Sequence, residues 1–121
     1  MNPTVFDILD GRERNANVRI GHVYLYARRS RRWIDGAMVD AFDVATIQVK
    51  PDRLQGKGHG SKFFDFIEAE TASRGLIVFV ESILNQRFYG YLKRRGYMDV
   101  PYNPGCLYFL PQQSVTAADS V

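Results

Sequence analysis

At 121 residues the chain has room for one compact domain and excludes two independent cores, which take roughly 100–200 residues each. With 45% hydrophobic and 24% charged residues it is not a disordered chain, and it contains no apolar run of the ~18 residues that a membrane span needs. Its single cysteine, Cys106, excludes an internal disulfide or a cysteine-rich zinc site, and no secretory leader is evident, so a soluble protein of a reducing, cytoplasmic compartment is expected. The formal net charge is +3, but residues 1–32 hold seven arginines against three acids, so the consequence of the charge depends on where the fold puts those arginines.

Taken in order, Thr4–Leu9 reads as a short strand closed by Asp10-Gly11. Val18–Arg28 is rich in β-branched and aromatic residues and reads as a strand. The basic run Arg28-Arg29-Ser30-Arg31-Arg32 predicts a solvated turn, with a short strand from Trp33 to Gly36 making a hairpin. Asp43–Lys50 alternates as a strand and Pro51 stops it. The period then changes. Phe63, Phe64, Ile67 and Thr71 recur at helical spacing across Gly60–Arg74, with Gly75 as a stop. Leu76–Val80 is a five-residue apolar run suited to a strand covered on both faces. A second helix is expected over Asn85–Arg95, where Lys93, Arg94 and Arg95 complement the negative C-terminal end and Gly96 follows. Cys106–Leu110 completes an edge strand, and residues 111–121 form a polar, flexible tail. The expected fold is α+β: residues 1–110 as one domain with a mixed, mostly antiparallel central sheet and two main helices, in the order β-β-β-β-α-β-α-β.

The segment that carries chemistry is Gln55-Gly56-Lys57-Gly58-His59-Gly60-Ser61, between a strand and a helix start. Glycines at 56, 58 and 60 remove side chains from the approach to the first helical turn, so free amides and the positive helix end can take a diphosphate through two or three charge-assisted hydrogen bonds of ~1.5–3 kcal/mol each. The spacing matches neither a P-loop nor a dinucleotide fingerprint. A glycine-rich turn that binds nothing is the competing reading.

The Gln55–Gly60 stretch matches Q/R-x-x-G-x-G/A, the pattern that follows the fourth strand of the GNAT superfamily of acyl-coenzyme A-dependent N-acetyltransferases. Val49-Lys50-Pro51 before it, and Asn85 with Gly96-Tyr97 after it, sit at that superfamily's spacing, so the chain resembles it over Val18–Tyr97. The resemblance implies acetyl transfer from acetyl-CoA to an amine by direct transfer in a ternary complex. It implies a V-shaped opening between the fourth and fifth strands, with backbone groups of Ile47 and Val49 pairing with the pantetheine arm. Gln55, Gly56, Lys57, Gly58, His59, Gly60 and Ser61 would hold the pyrophosphate. Asn85 would touch the cofactor side of the cleft, with helix N-cap as its equal alternative. The Val49 N–H would polarise the thioester oxygen.

A lysine-like acceptor costs about 4–5 kcal/mol to neutralise at pH 7, which makes a carboxylate base useful. Glu81 and Asp43 are the candidates, with Asp40 competing. The tyrosine that usually precedes the final Gly-aromatic pair by four residues is replaced by Leu92. Tyr89, on the same helical face, is the candidate acid, and Tyr91 is expected to point elsewhere. Only about ten residues, Asp7–Asn17, stand where many members have two helices walling the acceptor site. An open groove follows, taking a protein or peptide terminus or completed by a partner chain or second copy, with small amines as further acceptors. The rival class is a binding module with this shape that acts on nucleic acid, or within an assembly, through its basic surface. No metal site is implied, since His22 and His59 are far apart in the motif map and Cys106 has no triad partners.

Overall fold

The computed structural model describes residues 2–111. Its elements are α1 (Val5–Leu9), β1 (Asn15–Ile20), β2 (Val23–Ile34), β3 (Ala37–Val49), a 3-10 turn (Asp52–Leu54), α2 (His59–Ala72), β4 (Ile77–Val80), α3 (Gln86–Arg94), β5 (Met98–Asp99) and β6 (Leu107–Phe109). They form one six-stranded sheet in the order β1-β2-β3-β4-β6-β5. Only β3 and β4 run parallel, from Ala41↔Ile77 to Val44↔Val80, and α2 makes the crossover that a parallel pair requires. The expected mixed, mostly antiparallel α+β sheet is the observed one. The tail from residue 112 onward lies outside the described residues.

Three local expectations are corrected. Thr4–Leu9 is not a strand: Val5, Ile8 and Leu9 share the buried face of α1, and the Asp7 carboxylate accepts the Thr4 backbone N–H at 2.8 Å, tying down the first turn. Val18–Arg28 is two strands joined at Gly21-His22, where Gly21 has φ +57° and Ile20 faces Val23. The turn expected at Arg28–Arg32 is instead the middle of β2. The hairpin closes at Asp35-Gly36, both at positive φ, between the partners Ile34 and Ala37. β3 accordingly starts at Ala37 rather than Asp43.

The arginine run stays extended because each member finds a partner beside the strand. Arg29 donates to the carbonyls of Ile8 and Leu9 at the C-terminal end of α1 (3.4 and 2.9 Å), and Arg31 lies 3.6 Å from Asp40. Arg28 and Arg32 turn to the other face, toward Glu81 and Asp43.

Side-chain alternation divides the core in two. On one face Leu25, Ala27, Phe42, Val44, Val78, Val80 and Leu107 pack beneath α1, α2 and α3 through Ile8, Phe63, Phe64, Ile67 and Leu92. Each Val, Leu, Ile or Phe among them contributes about 1.5–3 kcal/mol by leaving water. On the other face Ile34, Ala41, Ile77, Phe79, Val100, Cys106 and Tyr108 form a smaller cluster. All three helices contribute to the larger cluster and none to the smaller. No helix among the described residues is long and apolar enough to cross a membrane.

Candidate active site

The sheet splits beside β3. β4 ends at Val80, the Glu81 N–H donates to the Val44 carbonyl at 3.1 Å, and the chain then leaves toward β6, where Ile83 N–H donates to Gly105 O at 2.7 Å. β3 runs on for five residues with nothing paired on that side. A bulge resets its alternation: Tyr26 faces Thr46 and Ala27 faces Val44, leaving Ala45 unpaired. Beyond it the Lys50 N–H donates to His22 O at 2.9 Å, so residues 46, 48 and 50 turn their peptide groups to β2. The peptide groups of Ile47 and Val49 therefore face the open edge.

This edge forms one wall of an open cleft of about 560 Å³, lined among others by Ile47, Val49, Gly58, Ser61, Asn85 and Tyr91. The glycine loop forms its end. Gly56 and Gly58 have φ of +79° and +90°, and Gly58 is the N-cap of α2 without any capping side chain. Lys62 N–H is the first to find a helical partner, Gly58 O at 3.1 Å. The helix start thus leaves the amides of Gly58, His59, Gly60 and Ser61 without intrahelical acceptors. A Cβ built at Gly56, Gly58 or Gly60 meets nothing within 4 Å, so the glycines border open space rather than a neighbouring segment.

The structure brings Ile47, Val49, Gln55, Gly56, Gly58, Gly60, Ser61 and Asn85 together around this cleft. Gln55 Nε2 donates to Val49 O at 3.4 Å, joining loop to strand. Asn85 lines the cleft and is also the N-cap of α3, its Oδ1 accepting Arg87 and Phe88 N–H at 2.9 and 3.1 Å. Lys57 and His59 are not among the lining residues, and the His59 ring instead meets His22 edge-on at 5.0 Å, which their sequence separation did not suggest.

The helical phase of α3 decides which tyrosine reaches the cleft. Leu92 is fully buried in the core, which turns Phe88 and Tyr91 to the cleft. Tyr89 lies outside the lining and donates its hydroxyl to Asp99, next to the Lys93–Asp99 ion pair of 2.7 Å. Phe88 and Tyr91 were missed by the sequence reading. The signal for them was present, because a buried Leu92 places residues 88 and 91 together on an adjacent stripe.

Glu81 and Asp43 also meet, though outside the cleft lining. Asp43, with 1% of its side chain exposed, accepts from Ser30 Oγ at 2.9 Å and from Arg32 at 2.5 Å. Glu81 accepts from Arg28 and, at 3.1 Å, from Arg32. Burial pushes the Asp43 carboxyl up to about 6 against the pull of Arg32, and contact with Glu81 adds to the rise. Burial works to raise the Glu81 carboxyl too, but Arg28, Asp43 and Arg32 together hold it below the usual carboxylate range. Asp40 sits apart, paired with Arg31.

Arg32→Met tests this network. Its guanidinium stacks 4.1 Å over the Phe79 ring, and methionine keeps the apolar stem while removing the charge. An Asp43 carboxylate left buried without that partner costs about 3 kcal/mol. The raised Asp43 pKa means that the folded state holds a proton which the unfolded state releases on going from pH about 4 to 6, so this group's contribution falls as pH rises through that window. The opposite sign applies to Glu81, whose contribution is lost as pH falls. Urea unfolding is expected to give a large loss for Arg32→Met near pH 7.5 that narrows near pH 5, where Asp43 takes up its proton and needs no counter-charge.

No family model and no curated protein sequence matches the chain. Solved structures do. A tyrosine-to-phenylalanine mutant of the toxin AtaT, bound to the C-terminus of the antitoxin AtaR and acetyl-CoA, superposes with a TM-score of 0.58 at 20% identity, covering 82% of this chain and 64% of that one. The KacTA–DNA complex gives 0.61 at 19% identity over 81% and 63%. AtaT complexed with acetyl-methionyl-tRNAfMet gives 0.59 at 16% identity over 81% and 65%. The chain spans less than two thirds of the length of each of these neighbours, which have the GNAT fold. A parallel β3–β4 pair that splits over a glycine-rich helix start, in a sheet superposing on theirs, is the fold of the GNAT superfamily, and this chain has it.

Proposed function

We propose that the protein is an N-acetyltransferase that takes its acyl group from acetyl-CoA and passes it to an amine by direct transfer in a ternary complex. The observation that carries this reading is the corner at Gly56, Gly58 and Gly60, bare of side chains at those three positions and opening onto the unpaired edge of β3. The acetyl-CoA complex of AtaT supports it. The amides of Gly58 to Ser61 would hold the pyrophosphate, and the outward peptide groups of Ile47 and Val49 would pair with the amides of the pantetheine arm as an added strand does. Acetyl-CoA supplies an activated acyl group, whose transfer forms the new amide and leaves a free thiol. The Val49 N–H is the group suited to polarise the acyl oxygen, and Asn85 would border the same stretch of the cleft.

The acceptor best suited to these side chains is an α-amine. Asp43 and Glu81 are engaged by Arg28 and Arg32, so neither stands free to deprotonate a lysine. An α-amino group of pKa ~7.8 needs little such help at neutral pH. The AtaT complex with acetyl-methionyl-tRNAfMet supports this class, since methionine carries no amine but its α-amine. The helix-free sheet face would leave room for a large acceptor or a partner chain.

A second reading, a binding module acting on nucleic acid, is supported by the KacTA–DNA complex. Release of free thiol from acetyl-CoA over a panel of amines and peptide N-termini separates the two. Turnover supports the enzyme; tight acetyl-CoA binding without turnover, beside salt-sensitive affinity for DNA or RNA, supports the module.

A further inference from the structure

At the α2 end of the cleft three side chains form a hydrogen-bonded chain. Tyr91 Oη lies 2.8 Å from Ser61 Oγ, and Arg95 Nη1 donates to the same Tyr91 oxygen at 3.3 Å. Arg95 is itself anchored: Nε and Nη2 donate to the two carboxylate oxygens of Glu68 at 3.0 and 2.8 Å, and Nη2 reaches Asp65 at 2.6 Å. Tyr97 Oη donates to the same Glu68 Oε2 that accepts from Arg95 Nε, at 2.8 Å.

A guanidinium has donors only, so the Tyr91 oxygen accepts from Arg95, and its own proton is available to Ser61 Oγ. In that arrangement Ser61 accepts from Tyr91, and among the described residues its hydroxyl has no other hydrogen-bond partner. Ser61 lines the cleft in the first turn of α2, beside the amides of His59 and Gly60.

We infer that Arg95 and Tyr91 are positioning residues that aim the Ser61 hydroxyl into the cleft as a donor, adding one directed O–H to the backbone amides that receive the diphosphate of coenzyme A. The inference rests on the acetyl-CoA reading. It gives a use to a hydroxyl that packing does not require, since the Tyr91 ring already packs against Phe64 and stacks on Phe88.

The test is calorimetric titration of coenzyme A into the full chain and into Ser61→Ala, Ser61→Thr, Tyr91→Phe and the Ser61→Ala/Tyr91→Phe double variant, with melting curves for each. Loss of one hydrogen bond to a charged group predicts about tenfold weaker binding for Ser61→Ala and about fivefold for Tyr91→Phe. Ser61→Thr keeps the hydroxyl and is expected to bind as the wild type does. The double variant is expected to bind no more weakly than Ser61→Ala, because Tyr91 acts only through Ser61. A merely structural Tyr91 would instead multiply its loss with that of Ser61→Ala. That result, or a Tyr91→Phe variant equal to wild type, overturns the relay while wild-type binding leaves the acetyl-CoA reading intact. A wild-type chain that binds no coenzyme A overturns both.

Discussion

Gly60→Leu is expected to abolish acetyl-CoA binding while leaving the protein folded. Gly60 lies in the first turn of α2 without a positive φ, and a Cβ there enters open space. Leucine therefore fits the unliganded chain, and because glycine in a helix costs roughly 0.5–1 kcal/mol relative to alanine, the melting temperature should hold or rise slightly. With ligand the side chain would fill the volume over the amides of His59 to Ser61. Losing two or three charge-assisted hydrogen bonds removes about 3–9 kcal/mol, or at least ~100-fold in affinity. Gly58 is the poorer site for this experiment: its φ of +90° means that any side chain there strains the backbone, so lost binding and a disturbed helix start would arrive together. Calorimetry and a melting curve on Gly60→Leu separate the two effects. Retained affinity would remove the cradle from the account.

The second large effect concerns the acceptor. At pH 7 a lysine amine of pKa ~10.4 spends about 4.6 kcal/mol to become neutral, and an α-amine of ~7.8 about 1 kcal/mol. If Arg28 and Arg32 keep Glu81 and Asp43 engaged, that difference passes into kcat/KM, and peptide N-termini should be acetylated at least 100-fold faster than matched lysine side chains. The pH profiles carry the same signature. The lysine substrate should gain about tenfold per pH unit up to about pH 9, whereas the α-amine substrate should level off above about pH 8. If lysine acetylation is already pH-independent at neutrality, a working base exists and the Arg28–Arg32 clamp on Glu81 and Asp43 has been misassigned.

How far these features could be read from the sequence varies along the chain for physical reasons. α2 and β4 were readable because their burial is one-sided or complete, and such burial imposes a period or an apolar run on the residues themselves. The glycine loop was readable because its backbone requires residues without a Cβ. Arg28–Arg32 misled because a charge run is ambiguous until its partners are known. Asp40, Asp43, Glu81 and the α1 carbonyls are distant in sequence, and only tertiary pairing turns five polar residues into mid-strand. The Asp35-Gly36 pair was the stronger local turn signal and should have outweighed the arginines. Thr4–Leu9 shows the opposite fault, since Val5, Ile8 and Leu9 already carry helical spacing behind Thr4 and Asp7. On α3 the sequence marked a tyrosine-rich helix, but Tyr89 and Tyr91 lie nearly half a helical turn apart, and which of them meets the cleft is set by how Leu92 sits in the core.

The most direct measurement is an amide NMR titration of the labelled chain with coenzyme A. The largest shifts are expected on Gly56–Ser61, with a second group at Ile47 and Val49, while Arg28, Arg32 and Asp43 on the opposite sheet face move little. Saturating coenzyme A that leaves the amides of residues 56–61 unmoved would contradict the acetyl-CoA reading.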